Sequence, residues 1–281
     1  MRSAFRSRGT PCDAMEQAAV DPSALERPAA GSPRVNVQES AARYAFAAAA
    51  VQGARVLDVA SGSGLGSELL LRSGARFVVG IEVDPDALTA PATAPLRIEP
   101  GAPRLAFIRA DATTLPLVDG ACDVVVSFET IEHVGDPSRM LAECRRVLRP
   151  GGCLYLSTPN RTVTGWLPPN PFHVREFTTE EIVALVRRHF DEVTCHWQRP
   201  VVLPTFVLRR MAQRALGRAP GGRWIWRLWT QIRPERTRLG ATLWRGERFE
   251  DDLLNDPHYQ VVPARQTLWH QPTYTLLVAR C

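Results

Sequence analysis

The residues best suited to chemistry stand together in the sequence Glu129-Thr130-Ile131-Glu132-His133. If this segment is helical, both carboxylates and the imidazole share one face, because residues three and four apart are neighbours on a helix. Histidine exchanges protons near neutral pH, so His133 is our first candidate for a general base. The alternative is that His133 only fixes the loop. Glu129, Glu132 and His133 also have the donor atoms to hold a divalent cation.

A second set of candidates lies in the proline-rich segment 168–177, which contains His173 and Arg175. His173 has the chemistry to serve as a base or to orient a substrate. Arg175 can pair with a carboxylate or a phosphate on that substrate. The competing interpretation is structural, with both side chains bracing the loop. The sequence therefore leaves two histidines open as the base.

A glycine-rich turn, Ser61-Gly62-Ser63-Gly64, follows an apolar run and opens a helical pattern. Glycines in such a turn let the backbone approach a ligand closely and expose helix N-terminal amides. Glu82 ends the next apolar run, where a carboxylate accepts hydrogen bonds from ribose hydroxyls. The glycine spacing is GxGxG, because position 67 is serine, and this disfavours the dinucleotide motif of an NAD oxidoreductase.

Apolar runs alternate with helical patterns along the chain. This alternation predicts a doubly wound α/β fold with a mostly parallel sheet covered on both faces. In such a sheet the ligand lies outside the carboxyl ends of the strands. The predicted strands are 55–60, 77–82, 105–110, 122–128, 153–157, 193–197 and 274–279, and the longer predicted helices are 39–52, 64–72, 137–148 and 178–189.

The segment from Asp58 to Gly66 resembles the first motif of class I S-adenosylmethionine-dependent methyltransferases, with Ala60 where that family usually has glycine. Glu82 matches the ribose-binding acid of the family, and Asp111-Ala112 matches its adenine-edge position. The resemblance covers about residues 38–197 and the last strand. It implies a Rossmann-like sheet of seven strands in the order 3-2-1-4-5-7-6, with the seventh strand antiparallel.

The resemblance implies S-adenosyl-L-methionine as the cofactor. Ser127 and Phe128, at the end of the fourth strand, match the place of the sulfonium. The implied cofactor-binding residues are Asp58, Ser61, Gly62, Gly64, Glu82, Val83, Asp111, Ala112, Ser127 and Phe128.

The stretch from Glu129 to His133 is similar to one in the ubiquinone-biosynthesis O-methyltransferases, where it is implicated in binding a divalent cation. We predict no metal, because the same letters occur in relatives that are not known to need one. The expected reaction is O-methylation of a small-molecule acceptor, a sugar, an aromatic or a secondary metabolite, with His133, Glu129 and His173 as catalytic residues. The alternatives are methylation of RNA or protein, and a non-catalytic partner module with a cofactor fold.

Charge and composition limit the kinds of partner that the chain can have. All 34 basic residues are arginine, and residues 199–248 hold twelve of them against two acids, a net of +10. The whole chain carries +5, so the remainder carries 5 − 10 = −5, which disfavours a globally basic nucleic-acid binder.

We predict a disordered leader over 1–35, a methyltransferase domain over 36–281 and, within it, a helical Arg/Trp-rich insertion or lid over 200–270. For this insertion, peripheral membrane contact through 200–250 and an RNA-binding patch remain as alternatives to a lid. The six cysteines show no CxxC spacing and no accompanying histidine cluster, which predicts a cytoplasmic protein without a zinc site.

Overall fold

The computed structural model describes residues 34–84, 104–167, 169–208, 211, 260–264 and 270–281. They contain a single mixed sheet. Its strands are β1 (Arg55–Val59), β2 (Phe77–Glu82), β3 (Arg104–Arg109), β4 (Cys122–Phe128), β5 (Leu148–Pro159), β6 (Glu192–Val202), β7 (Val261–Pro263) and β8 (His270–Arg280). The order across the sheet is β3-β2-β1-β4-β5-β8-β6-β7.

The pairing confirms the doubly wound prediction. β1 pairs in parallel with β2 and β4, β2 with β3, and β4 with β5. β8 lies antiparallel between β5 and β6, as expected for the last strand. The sheet has eight strands and not the expected seven, because the short β7 adds to the edge at β6. A strand of three residues is too short to show a periodic pattern in the sequence.

The helices lie where the helical patterns predict them, with small shifts at their ends. They are α1 (Arg34–Ala48), α2 (Leu65–Arg72), α3 (Pro137–Val147), α4 (Arg161–Thr164) and α5 (Thr179–Val186), with one turn of 3₁₀ helix over Ile131–His133. Thr178 and Glu181 form the expected capping box of α5. Such a box satisfies two backbone amides that a helix start would otherwise leave unpaired.

The two faces of the sheet are buried under different helices. Val124 and Val126 of β4 pack in one apolar cluster with residues of α1 and α2. Val125 packs in the other cluster with residues of α3 and α5. Burial on both faces explains why these strands appear in the sequence as continuous apolar runs.

Several predicted boundaries are wrong, for identifiable reasons. The segment 149–152 was expected to separate helix from strand, but β5 starts at Leu148 and runs through it. The helix expected over 39–52 begins at Arg34, so residues 34 and 35 of the expected leader belong to α1. Residues 1–33 of the expected leader lie outside the described residues.

The expected insertion 200–270 is described only at its ends. Residues up to 202 continue β6, and residues 203–208 are helical. β7 and the first residue of β8 also fall inside this range, so its ends contain strand as well as helix. Trp224, Trp226, Trp229 and Trp244 of the expected insertion lie outside the described residues.

The carboxyl ends of the central strands carry strained backbone. Ala60, directly after β1, has a φ of 59°, and Glu129, directly after β4, has a φ of 52°. Residues other than glycine avoid this left-handed region because their Cβ approaches the carbonyl oxygen, at a cost of roughly 1–2 kcal/mol per residue. Strain at these two points marks the sheet edge where a ligand is expected. No described helix has the length and apolar character that crossing a membrane requires.

Candidate functional site

The glycine-rich turn of residues 60–66, which we call the cofactor loop, joins β1 to α2. Gly62 and Gly64 have φ angles of 53° and 83°. A Cβ on Gly64 would also come within 2.5 Å of the Phe107 ring. Glycine is therefore required at 64 both for its backbone conformation and for the close approach of β3.

Glu82 closes the cofactor loop against the end of β2. Its Oε2 accepts a hydrogen bond from the Gly62 amide at 2.8 Å, and its Oε1 accepts from the amides of Val83 and Asp84 at 2.8 and 3.0 Å. An ionised carboxylate has about four acceptor positions, so these three bonds leave one on Oε2. The buried carboxylate is thus anchored by backbone and keeps acceptor capacity for a hydroxyl.

Asp58 lies beneath the cofactor loop and is fully buried. Its carboxylate accepts hydrogen bonds from the Tyr44 hydroxyl at 3.0 and 3.2 Å and from the Ser67 hydroxyl at 2.6 Å. Burial raises the pKa of Asp58 to about 6, against the lowering effect of these donors. Gly66 makes room for the Tyr44 ring, since a Cβ there would overlap it. The described contacts of Asp58 therefore tie α1 to the start of α2.

The adenine-edge candidates lie beside β3. Asp111 is exposed, and its Oδ1 accepts from the amide and the hydroxyl of Thr113, both at 2.7 Å. These two bonds hold the pKa of Asp111 below its usual value. Ala112 is half-buried, and Val83 is 60% exposed. Asp111 is therefore ionised at neutral pH and available to accept from an amino group.

Two hydroxyls near the cofactor loop have no partner among the described residues. The oxygens of Ser61 and Ser127 are buried and make no hydrogen bond. Buried polar groups are normally paired, so an unpaired hydroxyl at a sheet edge indicates where a bound molecule completes the site. Phe128, next to Ser127, packs edge-on against Tyr44 with ring centroids 5.0 Å apart. These features fit a polar ligand at the ends of β1 and β4.

Glu129 follows Phe128 and turns towards α1 and β5. Its Oε1 accepts a hydrogen bond from the Ser157 hydroxyl at 2.7 Å and lies 3.8 Å from the Arg43 guanidinium. Arg43 is buried, bonds Gln198 at 2.8 Å and stacks over the Tyr274 ring at 4.9 Å. Glu129 is therefore held by side chains from distant parts of the chain.

Glu132 lies in the 3₁₀ turn and is fully buried. Thr158 donates a hydrogen bond to its Oε2 at 2.9 Å, while Oε1 has no partner among the described residues. Burial raises the pKa of Glu132 well above its usual range, and repulsion from Glu129 adds a smaller contribution in the same direction. Burial thus disfavours the charged form of the Glu132 carboxyl, whereas the sequence suggested a second anion.

Hydrogen bonds attach residues 169–177, which we call the acceptor loop, to the 3₁₀ turn. The carbonyl of Glu132 accepts from the amides of Val174 and Arg175 at 2.8 and 3.1 Å. In return, Nδ1 of His133 lies 2.9 Å from the carbonyl oxygen of Phe172. These bonds join two segments that are about 40 residues apart in the sequence.

The Phe172 carbonyl determines the tautomer of His133. A carbonyl oxygen can only accept, so Nδ1 must carry the proton that it donates. In neutral His133 the lone pair is then on Nε2. Because the side chain is exposed, this Nε2 is accessible as a proton acceptor.

The contacts of His173 have the opposite effect. Its Nδ1 donates to Oε1 of Glu176 at 2.7 Å, and its Nε2 lies 2.9 Å from the amide nitrogen of Asn170. Its ring packs edge-on against the His133 ring with centroids 4.9 Å apart. Both nitrogens of His173 are therefore occupied.

The three residues considered as ligands of a divalent cation, Glu129, Glu132 and His133, are not the ones that come together. Glu129 is turned to Ser157, whereas Glu132, His133 and His173 each place one ligand atom within 4.8 Å of the others. His173 has no spare lone pair in this arrangement, because Nε2 accepts from Asn170. A cation would therefore find two ligand atoms rather than three, and the arrangement does not fit a metal centre.

Sequence reasoning missed several residues that shape this site. Arg43 and Tyr44 belong to an alanine-rich helix with no local sign of function. Ser157 lies within an apolar strand. Asn170 and Glu176 flank His173 at three-residue spacing, which is a signal that the sequence did contain. Arg175, considered as an anion-binding residue, instead stacks its guanidinium on the Phe177 ring at 4.8 Å.

Comparison with known proteins identifies relatives of the central part of the chain. Residues 57–156 match the family described as a methyltransferase domain. A probable S-adenosylmethionine-dependent methyltransferase of Mycobacterium tuberculosis is 38% identical over 134 residues, 47% of this chain and 46% of that protein. A ubiquinone biosynthesis O-methyltransferase of Cereibacter sphaeroides is 32% identical over 151 residues, 49% of this chain and 60% of that protein. The chain thus spans about half the length of the curated relatives it matches.

A solved structure extends the likeness to most of the fold. It is a SAM-dependent methyltransferase of Thermotoga maritima, described as a possible histamine N-methyltransferase. It superposes with a TM-score of 0.52 at 15% identity, covering 88% of each chain. At this identity the likeness shows a shared fold.

Proposed function

We propose that the chain is a class I S-adenosylmethionine-dependent methyltransferase that methylates a hydroxyl of a small molecule. The observation that carries the proposal is the hydrogen bond between Nδ1 of His133 and the Phe172 carbonyl. It leaves Nε2 as an exposed proton acceptor, which a hydroxyl acceptor requires.

The residues of the cofactor loop fit the methyl donor of this family. Glu82 keeps an acceptor position on Oε2 for a ribose hydroxyl, and Asp111 is ionised for an adenine amino group. The unpaired hydroxyls of Ser61 and Ser127 offer polar contacts to the remainder. When bound, S-adenosylmethionine supplies an electrophilic methyl group on a sulfonium. Asp58 supports this site from below, because its described bonds go to Tyr44 and Ser67.

The acceptor side supplies the base. His133 takes the hydroxyl proton on Nε2 as the acceptor oxygen becomes nucleophilic. Nδ1 continues to donate to the Phe172 carbonyl, so the ring keeps its orientation while its charge changes. Methyl transfer is an in-line displacement that depends on positioning, and the strained, hydrogen-bonded end of β4 provides a rigid frame for it.

Glu129 and His173 support the base rather than replace it. Glu129 places a carboxylate beside the end of β4, held by Ser157 and Arg43. His173 packs its ring on His133 and fixes the direction of Nε2. In this assignment both residues position the reacting groups.

Two lines of support favour a small-molecule hydroxyl over RNA or protein. One relative is named a ubiquinone biosynthesis O-methyltransferase, which acts on a small molecule by its name. The setting of Arg43, which is buried, and of Glu129, which is partly buried, also suits a small acceptor better than an extended polymer. The sugar, aromatic and secondary-metabolite acceptors of the sequence analysis remain within this proposal.

The test is a binding measurement followed by an activity screen. Calorimetry should detect binding of S-adenosylhomocysteine and should show no heat of binding for NADH. Incubation with S-adenosylmethionine and a library of sugars and phenols should yield products heavier by one methyl group. Binding of NADH alone, or methylation only of RNA or protein, would contradict the proposal.

A further inference from the structure

We propose that Asn170 is a positioning residue that confines proton acceptance to His133 by occupying the lone pair of His173. This inference rests on the proposed function, in which a base removes the acceptor proton. Its structural part, the proton arrangement on His173, is independent of any reaction.

The orientation of the Asn170 amide is set by backbone. Oδ1 of Asn170 accepts a hydrogen bond from the Phe172 amide at 3.0 Å. An amide N–H can only donate, so the oxygen of Asn170 must face it. The NH₂ group of Asn170 therefore points at Nε2 of His173, 2.9 Å away.

This orientation determines the protons of His173. The Asn170 NH₂ group can only donate, so Nε2 of His173 must be the acceptor and carries no proton. Nδ1 then carries the proton and donates it to Glu176 at 2.7 Å. Thr164 donates to the other oxygen of Glu176, which fixes that carboxylate in turn. His173 is thus held as a neutral imidazole with no free lone pair.

The need for such control follows from the closeness of the two histidines. One ligand atom of His133 and one of His173 lie within 4.8 Å, so either could reach the same acceptor oxygen. A proton taken by His173 would form an ion pair with Glu176, and these side chains are only 13% and 19% exposed. His133 is exposed and can return its proton to water. Occupying His173 therefore directs the proton to the residue that can release it.

The structural part is tested by nitrogen NMR on histidine-labelled protein without cofactor or acceptor. In the unaltered protein His173 should show a protonated Nδ1 and an unprotonated Nε2. Asn170→Asp keeps the shape and the Phe172 contact but presents an oxygen to Nε2, so His173 should become protonated on both nitrogens. A protonated Nε2 in the unaltered protein, or an unchanged spectrum in Asn170→Asp, would overturn the proposal.

The kinetic part uses a double variant. His133→Ala should lose activity, and adding Asn170→Ala should restore it by at least about tenfold over His133→Ala, because the lone pair of His173 is released. Val174→Ala, on the same loop and 66% exposed, is the matched control and should restore nothing. An Asn170→Ala double variant no more active than His133→Ala would reject the kinetic role. Absence of turnover in the unaltered protein would instead reject the proposed function and leave the NMR result standing.

Discussion

The cofactor loop and the acceptor loop meet at the same edge of the sheet but are held in different ways. In the cofactor loop, the Glu82 carboxylate is fixed by three backbone amides from nearby segments. Beside the acceptor loop, His133 and Glu129 are held by contacts with distant parts of the chain, the Phe172 carbonyl and the Ser157 hydroxyl. The first arrangement survives most side-chain changes, while the second depends on each partner.

This difference teaches which half of the molecule can vary. Backbone amides are present whatever the side chains are, so the cofactor loop needs only its glycines and one acid. The acceptor side can be altered by a single substitution at Asn170, Ser157 or Arg43, because each of these side chains contacts a candidate reactive group. We expect acceptor chemistry to change more easily than cofactor binding.

The largest effect is expected at His133. His133→Ala should lower turnover by about 10²–10⁴ and leave affinity for S-adenosylhomocysteine unchanged, because a general base contributes that much and does not touch the cofactor loop. His173→Ala should have the smaller defect.

The measurement is single-turnover kinetics with calorimetry on the same samples. His189→Ala is the control, since His189 lies away from the site and bonds Ser138. A larger loss in His173→Ala would reverse the assignment of the base, and near-normal turnover in both variants would remove general-base catalysis by either histidine.

The next effect concerns Asp58 and pH. Its pKa of about 6 in the folded protein exceeds its ordinary value, so the folded state holds the extra proton. Stability from this group is present below about pH 4 and is lost as pH rises through 6, by on the order of 3 kcal/mol. Asp58→Asn should lack this loss.

Urea unfolding at pH 4.5 and 7.5 measures the effect. Subtracting the pH dependence of Asp58→Asn from that of the unaltered protein cancels the contribution of other groups, including Glu132, whose pKa is also raised. Equal pH dependence in Asp58→Asn and the unaltered protein would mean that Asp58 does not titrate in this range.

A smaller effect is expected for Glu82→Ala. Loss of the last acceptor position should weaken S-adenosylhomocysteine binding at least about tenfold, or roughly 1.4 kcal/mol. Far-ultraviolet circular dichroism should show the fold retained. Glu68→Ala, which removes a surface pair with Arg72, is the control for loss of charge. An affinity as high as that of the unaltered protein would remove Glu82 from the cofactor site.

The smallest effect is at Ala60, the strained residue after β1. Ala60→Gly should raise the free energy of unfolding by about 0.5–1 kcal/mol, because glycine adopts a φ of 59° without strain and loses only part of that gain to chain entropy. Denaturant unfolding at neutral pH measures it. A destabilised variant would show that the Ala60 methyl group makes packing contacts worth more than the strain.

The sequence predicts the strands and turns around the cofactor loop well, because the patterns that identify them are local. Strands β2 and β4 have the expected bounds, and the glycine spacing with Glu82 identifies the loop. Their apolar runs and turns need only neighbouring residues to be interpreted. The extra strand β7 escapes prediction because three residues carry no periodicity.

The acceptor loop and the residues that contact it are predictable only in part. The types of Glu129 and His133 point to chemistry, but the sequence does not reveal that Glu129 turns to Ser157 or that burial raises the pKa of Glu132. Those states depend on side chains that are distant in the sequence and that only folding brings beside Glu129 and Glu132. The contact between His133 and Phe172 depends on how the acceptor loop folds back, and that has no signature in the sequence.

The position of β8 bears on how the protein is made. β8 is the last strand in the chain but lies between β5 and β6, both of which are synthesised earlier. On the ribosome, β1 to β5 can assemble first while β6 waits for its central partner. Until β8 emerges, the β5 edge is an open row of amides and carbonyls, which invites pairing with other chains. A pause in translation before residue 270 should therefore favour aggregation, and chaperone binding should be strongest at that stage.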